Sequence, residues 1–284
     1  MTGTVVAAVL AAALLHASWN AIAHGIRDQL IAFTVIGVAD TVFMLPLVVF
    51  SPVPAAGAWP WLLASVAIHI VYQALLMRSF SLGDFGQAYP IARGTAPLVV
   101  TVVAVFAVDE TLSGAQALGV ALATAGLLAI ALWGIRGKGG RRPHWPAITA
   151  AVATGLSIAT YTVVDGVGVR SSDTAIGYTA WLIFLMGPII PVYALVTRRG
   201  ELSGQIRPYV LRGLVGGLMS SAAYGLVLWA QTKAPLGPVA ALRESSIIVG
   251  AAIGAVFFKE RFGAPRMAAA VLMVAGIGLM LRAG

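Results

Sequence analysis

Ten long apolar segments follow one another along this chain, and they constrain its fold more than any other feature. A helix needs roughly 20 mostly apolar residues to cross the hydrocarbon core of a bilayer. Segments of that kind lie at about 4–24, 30–50, 59–79, 85–107, 113–134, 146–168, 175–197, 209–231, 236–258 and 265–282. No connection between them is long enough to hold a soluble domain. The sequence therefore predicts an all-α membrane protein with ten transmembrane helices.

The composition excludes several other classes of protein. Charged residues make up only 10% of the chain and hydrophobic residues 60%, whereas a soluble domain carries roughly 25% charged residues. The net charge of +8 does not indicate a nucleic-acid partner, because the basic residues are scattered over short gaps between apolar segments, where such charges usually set topology. The absence of cysteine excludes disulfide and thiolate chemistry. We expect an integral, multi-pass protein whose surroundings are membrane lipid.

The two halves of the chain resemble each other in the order of their polar residues. A shift of 142 residues places Trp19 on Tyr161, and a shift of 150 residues places Glu110 on Glu260. Because each half would hold an odd number of spans, the second half would enter the membrane from the opposite side, as in many secondary transporters. The predicted parts are a first repeat at 1–135, a basic linker at 136–145 and a second repeat at 146–284.

Several stretches resemble the drug/metabolite transporter superfamily in its EamA-type branch. They are His16–Ala21, Ala88–Pro97, Tyr161–Gly166 and Gly237–Ser246, with the pairs Asp109-Glu110 and Lys259-Glu260. The resemblance implies a ten-helix carrier with a central cavity between its halves, often an exporter of amino acids or other metabolites, in the bacterial inner membrane. It also implies that both termini are cytoplasmic, whereas Lys and Arg in the loops favour termini outside, so the orientation stays open.

Four ionisable residues lie well inside predicted spans, namely Asp40, Arg93, Arg243 and Glu244. A charge at the centre of a spanning helix costs roughly 2.5–3.5 kcal/mol on insertion scales, so these residues are expected to face an interior or a cavity. Glu244 is predicted to face Arg93 or a cationic group of the substrate, and an arginine can bind a substrate carboxylate. The alternative is a structural ion pair that locks the two halves together.

Two carboxylates are candidates for proton coupling, Asp40 and Glu244. For Asp40 the alternative is a hydrogen-bonded packing residue. Asp165 lies nearer the end of its span and ranks below these residues. The histidines His16 and His69 are either proton carriers or neutral residues that are hydrogen-bonded within the bundle.

Aromatic and polar side chains inside the spans are candidates for contact with a planar or apolar solute, although Trp and Tyr also form belts at membrane interfaces. The predicted substrate-binding residues are Trp19, Asn20, His69, Tyr72, Tyr89, Arg93, Tyr161, Trp181, Tyr224, Arg243 and Glu244.

Together these features predict a monomeric secondary carrier of small metabolites, with amino acids as the leading substrates. No phosphate-cradling glycine loop is present, so neither ATP-driven transport nor an ATPase subunit is expected. No cofactor, metal site or enzymatic activity is expected either. A lipid-linked or nucleotide-sugar carrier of the same superfamily is the alternative substrate class, and an intramembrane enzyme or a receptor is the alternative of a different class.

Overall fold

The computed structural model describes residues 1–82, 91–93, 96–135, 145–249 and 264–282, and every regular element in these ranges is helical. The main α-helices are α1 (Gly3–His24), α2 (Gln29–Phe50), α3 (Trp59–Leu82), α4 (Ala96–Ala107), α5 (Gly114–Ile135), α6 (Trp145–Arg170), α7 (Ala175–Met186), α8 (Ile189–Arg198), the short α9 (Leu202–Ile206), α10 (Val210–Gln231), α11 (Leu236–Arg243) and α12 (Ala264–Arg282). Most of the predicted linker, residues 136–144, lies outside the described residues.

Five described stretches are long and apolar enough to cross a membrane. They are Gly3–His24, Gln29–Phe50, Ala56–Leu82, Trp145–Arg170 and Ala175–Gln231. Large apolar side chains lie on their outer faces, and Phe50, for example, is 86% exposed. A helix that is apolar on all sides is buried in protein or in lipid. These outer faces are therefore suited to contact with lipid.

Polar residues at the ends of the apolar segments fix where several helices begin. The Thr2 hydroxyl accepts a hydrogen bond from the Val5 amide at the start of α1. The Asp28 carboxylate accepts from the amides of Leu30 and Ile31 at the start of α2. Side chains of this type satisfy amides that have no partner within the helix.

The predicted seventh span is divided into α7 and α8 at Gly187 and Pro188. Under the shift of 142 residues Pro188 corresponds to Pro46, yet α2 continues through Pro46. The difference lies in the residue before each proline, because Gly187 packs closely on α2. A Cβ atom at Gly187 would collide with the Thr41 hydroxyl and crowd the Gly37 carbonyl. Glycine therefore allows α7 to approach α2 at this point and weakens the helix there.

A network of charged and backbone groups holds the start of α11. Pro235 has no side chain that can cap the helix, and the Glu110 carboxylate instead accepts from the Leu236 amide at 2.8 and 3.0 Å. Glu110 also pairs with Arg170 at 2.8 Å. Arg170 donates to the carbonyl oxygens of Gln231 and Ala234. An anion at a helix N-terminus and a cation beside helix-end carbonyls are both favourable.

The helices pack as long pairs. Helix α1 lies along α10, α3 lies along α6, and α5 lies along α12. Helix α2 contacts α7, α8 and α10. At the contact between α2 and α10, Gly213 lies against Val35 and Gly217 against Ala39. Small residues of this kind let two helix backbones approach closely.

Candidate substrate cavity

A partly open cavity lies among α1, α2, α3, α6, α7, α10 and α11. Its wall combines aromatic, apolar and ionisable side chains. The residues are His16, Trp19, Phe33, Ile36, Gly37, Asp40, His69, Tyr72, Gln73, Tyr161, Ile183, Met186, Ser220, Tyr224 and Arg243. Segments from both ends of the sequence thus contribute to one cavity.

Arg93 and Glu244 form a buried ion pair beside this cavity. Arg93 Nε donates to Glu244 Oε2 at 2.9 Å, and Arg93 Nη2 donates to Oε1 at 2.7 Å. Each side chain is 2% exposed. Both carboxylate oxygens are therefore engaged by one guanidinium, in the paired geometry that is the strongest form of this contact.

His16 lies between two donors. Its Nδ1 is 3.2 Å from the Trp19 indole nitrogen, and its Nε2 is 3.3 Å from Arg93 Nη1. Indole and guanidinium groups donate hydrogen bonds but cannot accept them, and a neutral imidazole has a single acceptor nitrogen. Trp19 and Arg93 therefore compete for one acceptor on His16.

Arg243 is a buried cation at the wall of the cavity. Arg243 is the last residue of α11 and is 3% exposed. Nη2 donates to the Tyr161 hydroxyl at 3.2 Å, and the guanidinium carbon lies 5.9 Å from the centre of the Tyr224 ring. None of the salt bridges in the described part of the chain includes Arg243. A guanidinium has five N–H donors, so Arg243 can also donate to a ligand.

Asp40 brings a carboxylate to the same cavity from α2. It is 5% exposed, and its Oδ1 accepts from the Ser221 hydroxyl at 2.6 Å. Neither ion pair nor further hydrogen bond is seen for Asp40 among the described residues. Among the described residues, the cavity wall therefore carries one cationic group, Arg243, and one carboxyl group, Asp40.

An aromatic cluster forms the wall between α3, α6 and α10. The His69 ring stacks on Tyr161, with centroids 4.0 Å apart. Tyr72 and Tyr224 meet the His69 ring edge-on, at 6.1 and 5.3 Å. These rings provide flat apolar surface with polar edges, which suits a small amphipathic solute.

Asp165 lies behind this cluster and is completely buried. Its carboxylate accepts from the Tyr178 hydroxyl at 2.9 Å and from the Tyr224 hydroxyl, and the Ser65 hydroxyl lies nearby. The sequence ranks Asp165 low because it lies near the end of an apolar segment. Its burial comes from the next helix, α7, and from α3 and α10, which are remote from it in sequence.

The structure brings most of the predicted site residues to the cavity and leaves others beside it. Those at the wall are Trp19, Asp40, His69, Tyr72, Tyr161, Tyr224 and Arg243. Asn20 instead donates to the His16 carbonyl oxygen, and Trp181 packs on Trp59. Arg93 and Glu244 pair with each other beside the wall, and Tyr89 lies outside the described residues. Whether any of these residues contacts substrate stays a prediction.

Two polar features were missed at the level of sequence. Ser220 lines the cavity, and Ser221 is the donor to Asp40. Adjacent serines inside an apolar span were the available signal, since each buried hydroxyl needs a partner. In the ranges that the structure covers, no three His, Asp or Glu side chains lie together as metal ligands would.

Comparisons with known proteins agree with this picture. A sequence model of the EamA-like transporter family matches residues 145–282. A crystal structure of another protein aligns with 100% of this chain and 98% of its own, with a TM-score of 0.68 and 15% sequence identity. At that identity the likeness extends to the fold alone. Among curated proteins, no sequence matches this chain.

Proposed function

Through its EamA-like segment this chain belongs to the drug/metabolite transporter superfamily, and from that premise we propose that it is a secondary carrier of small zwitterionic metabolites, with amino acids first. The family and the apolar helices point to a multi-pass membrane transporter of small molecules. Net export across the bacterial inner membrane and function as a monomer are part of the proposal and follow from the resemblance of the motifs and from the symmetric plan below.

The proposed architecture is ten helices in two inverted repeats that rock around the cavity. Exchange of the two halves would interchange α1 with α6, α3 with α10 and α5 with α12. The packing of α1 along α10 then corresponds to that of α3 along α6, and the packing of α5 along α12 corresponds to itself. This correspondence supports an inverted repeat with a site at the repeat interface.

The observation that carries the proposed substrate class is the presence of Arg243 and Asp40 in one cavity. A substrate carboxylate can accept two hydrogen bonds from the Arg243 guanidinium. A substrate ammonium group can donate to Asp40, whose described partner is one serine hydroxyl. The aromatic cluster then covers the apolar part of the solute.

The carboxylate of Asp40 also bears on the alternative substrate. A nucleotide-sugar or lipid-linked carrier must bind a diphosphate, for which a cavity with several cations is suited. Here the described wall has one cation in Arg243, while Arg93 is neutralised by Glu244. These charges favour a zwitterion over a polyanion.

Counterflow in liposomes tests the proposed function. Purified protein is reconstituted in vesicles that contain an unlabelled amino-acid mixture, and uptake of the labelled mixture is measured against protein-free vesicles. We expect uptake that is inhibited by zwitterionic amino acids more strongly than by amines without a carboxylate or by acids without an amine.

The same assay contains the outcomes that would contradict the proposal. Folded protein that exchanges no amino acid removes the substrate class. Exchange of nucleotide sugars under the same conditions would establish the alternative carrier. The variant Asp40→Asn should weaken inhibition by zwitterionic amino acids. Inhibition by acids without an amine should change less.

A further inference from the structure

We propose that Asp165 is a proton-binding site of this carrier, and that Ser65 and His69 conduct the proton between Asp165 and the cavity. The link between this site and transport rests on the proposed function, whereas proton binding at Asp165 does not. The sequence predicts proton coupling at Asp40 and Glu244 instead.

The contacts form a continuous path from the cavity wall to the buried carboxylate. His69 lines the cavity. Its Nδ1 lies 2.9 Å from the Ser65 carbonyl oxygen and 3.0 Å from Ser65 Oγ. The carbonyl can only accept, so Nδ1 carries the ring proton and Nε2 is the acceptor nitrogen of the ring. The Ser65 hydroxyl in turn lies beside the Asp165 carboxylate.

A proton can pass along this path with no other reactant. A proton from the cavity binds His69 Nε2, and the ring then releases its Nδ1 proton to Ser65 Oγ. The Ser65 hydroxyl proton moves to the Asp165 carboxylate. One proton has entered at Nε2 and one has arrived on Asp165, while His69 and Ser65 are again neutral. The reverse sequence returns the proton to the cavity.

Several helices bring titratable side chains close to Asp165. The titratable neighbours are His69 from α3, Tyr178 from α7 and Tyr224 from α10. Arg243 of α11 lies over the Tyr224 ring, and Tyr161, which is on α6 together with Asp165, stacks on His69. Helix α4, which also packs on α6, carries no titratable residue.

Protonation of Asp165 would change contacts between helices. The ionised carboxylate accepts from hydroxyls on α7 and α10. A protonated carboxyl is itself a donor. At least one of these hydroxyls must therefore turn its own proton away from Asp165. Because Tyr224 both contacts Asp165 and lines the cavity, this rearrangement reaches the substrate site directly.

The other two carboxylates are less suited to this role. Both oxygens of Glu244 are bound by Arg93, so a proton there would break a buried ion pair. Asp40 lines the cavity itself and is available to the substrate. Asp165 is removed from the cavity and yet joined to it by hydrogen bonds.

Infrared difference spectroscopy on the purified full-length protein tests the site with the proton as its ligand. Acidification should produce a C=O band of a protonated, buried carboxyl group. The band should disappear in Asp165→Asn and persist in the matched variant Asp40→Asn. A band that survives in a folded Asp165→Asn protein would overturn the assignment.

Transport in liposomes tests the coupling. A pH gradient should accelerate uptake of a labelled mixture of the twenty protein amino acids by the wild-type protein. Asp165→Asn should lose this acceleration but keep counterflow, and an acceleration equal to that of the wild type would overturn the coupling. His69→Gln leaves Asp165 in place, so it serves if Asp165→Asn does not fold. It too should lose the acceleration, and full acceleration would overturn the path.

The two experiments separate this inference from the proposed function. If the Asp165 band is found but the wild-type protein exchanges no amino acid, the substrate class fails and the proton site stands. If counterflow is found but the band belongs to another residue, the carrier stands and the proton site fails.

Discussion

Two arginines are buried beside the cavity, and they are held in opposite ways. Arg93 is neutralised by both oxygens of Glu244. Arg243 precedes Glu244 in the sequence, yet it donates to the neutral hydroxyl of Tyr161. Adjacent residues on a helix point in different directions. Glu244 therefore pairs with an arginine 151 residues away, and its neighbour is left to face the cavity.

This difference assigns separate tasks to the two cations. The Arg93–Glu244 pair satisfies itself and joins residues 91–93 to the end of α11, so it needs no ligand. Arg243 has been removed from water without a carboxylate partner in the described structure, which is costly unless a ligand or water supplies acceptors. We therefore expect changes at Arg93 and Glu244 to act mainly on stability, and changes at Arg243 mainly on substrate affinity.

The largest effect is expected from Glu244→Gln, which leaves the Arg93 charge buried without its partner. Loss of one member of a buried pair typically costs roughly 3–5 kcal/mol. Thermal unfolding in detergent should show a clear loss of stability. The double variant Arg93→Met with Glu244→Leu is the control, because it removes both charges and should recover much of the loss. Wild-type stability in Glu244→Gln would contradict the importance of the pair.

Arg243→Gln should reverse that pattern. Hydrogen bonds to charged groups contribute roughly 1.5–3 kcal/mol, so the half-saturation concentration of a carboxylate-bearing substrate should rise roughly 10- to 100-fold. Stability should be unchanged or higher, because no carboxylate loses its partner. Concentration dependence of counterflow and thermal unfolding measure the two effects. If Arg243→Gln lost stability but bound substrate normally, Arg243 would act on stability, as the Arg93–Glu244 pair does, and the proposed difference would be wrong.

A smaller effect is expected from Tyr161→Phe, which keeps the ring stacked on His69 but removes the hydroxyl that bonds Arg243. The loss should be about 1 kcal/mol, or roughly fivefold in half-saturation concentration. Tyr193→Phe is a suitable control, since Tyr193 is exposed on α8 and does not line the cavity. An effect of Tyr161→Phe as large as that of Arg243→Gln would mean that the hydroxyl itself binds the substrate.

The smallest effect is expected in an ion pair near the surface, in contrast to the buried Arg93–Glu244 pair. Arg198 and Asp28 pair at 2.7 Å with side chains 35% and 40% exposed. Such pairs contribute roughly 0.2–1 kcal/mol and are screened by salt. Arg198→Gln should lower stability by no more than this amount, and the difference from wild type should vanish at high salt. Asp28 would still cap α2.

The sequence by itself determined where several of the described helices begin and end. The predicted segments 4–24 and 30–50 agree with Gly3–His24 and Gln29–Phe50 to within one residue at each end. This agreement has a physical reason. In hydrocarbon each backbone group must find its hydrogen bond within its own helix, so the length and polarity of a segment fix its structure locally.

Only the tertiary structure decided which polar residues meet. The sequence predicted that Glu244 faces Arg93 or a substrate, and the structure brings it to Arg93. The sequence ranked Asp165 low. It also gave no reason for Trp181 to lie beside Trp59, away from the cavity. The hydroxyls that surround Asp165 belong to three other helices. Partners of this kind depend on how separate helices pack, and no periodicity within one helix contains that information.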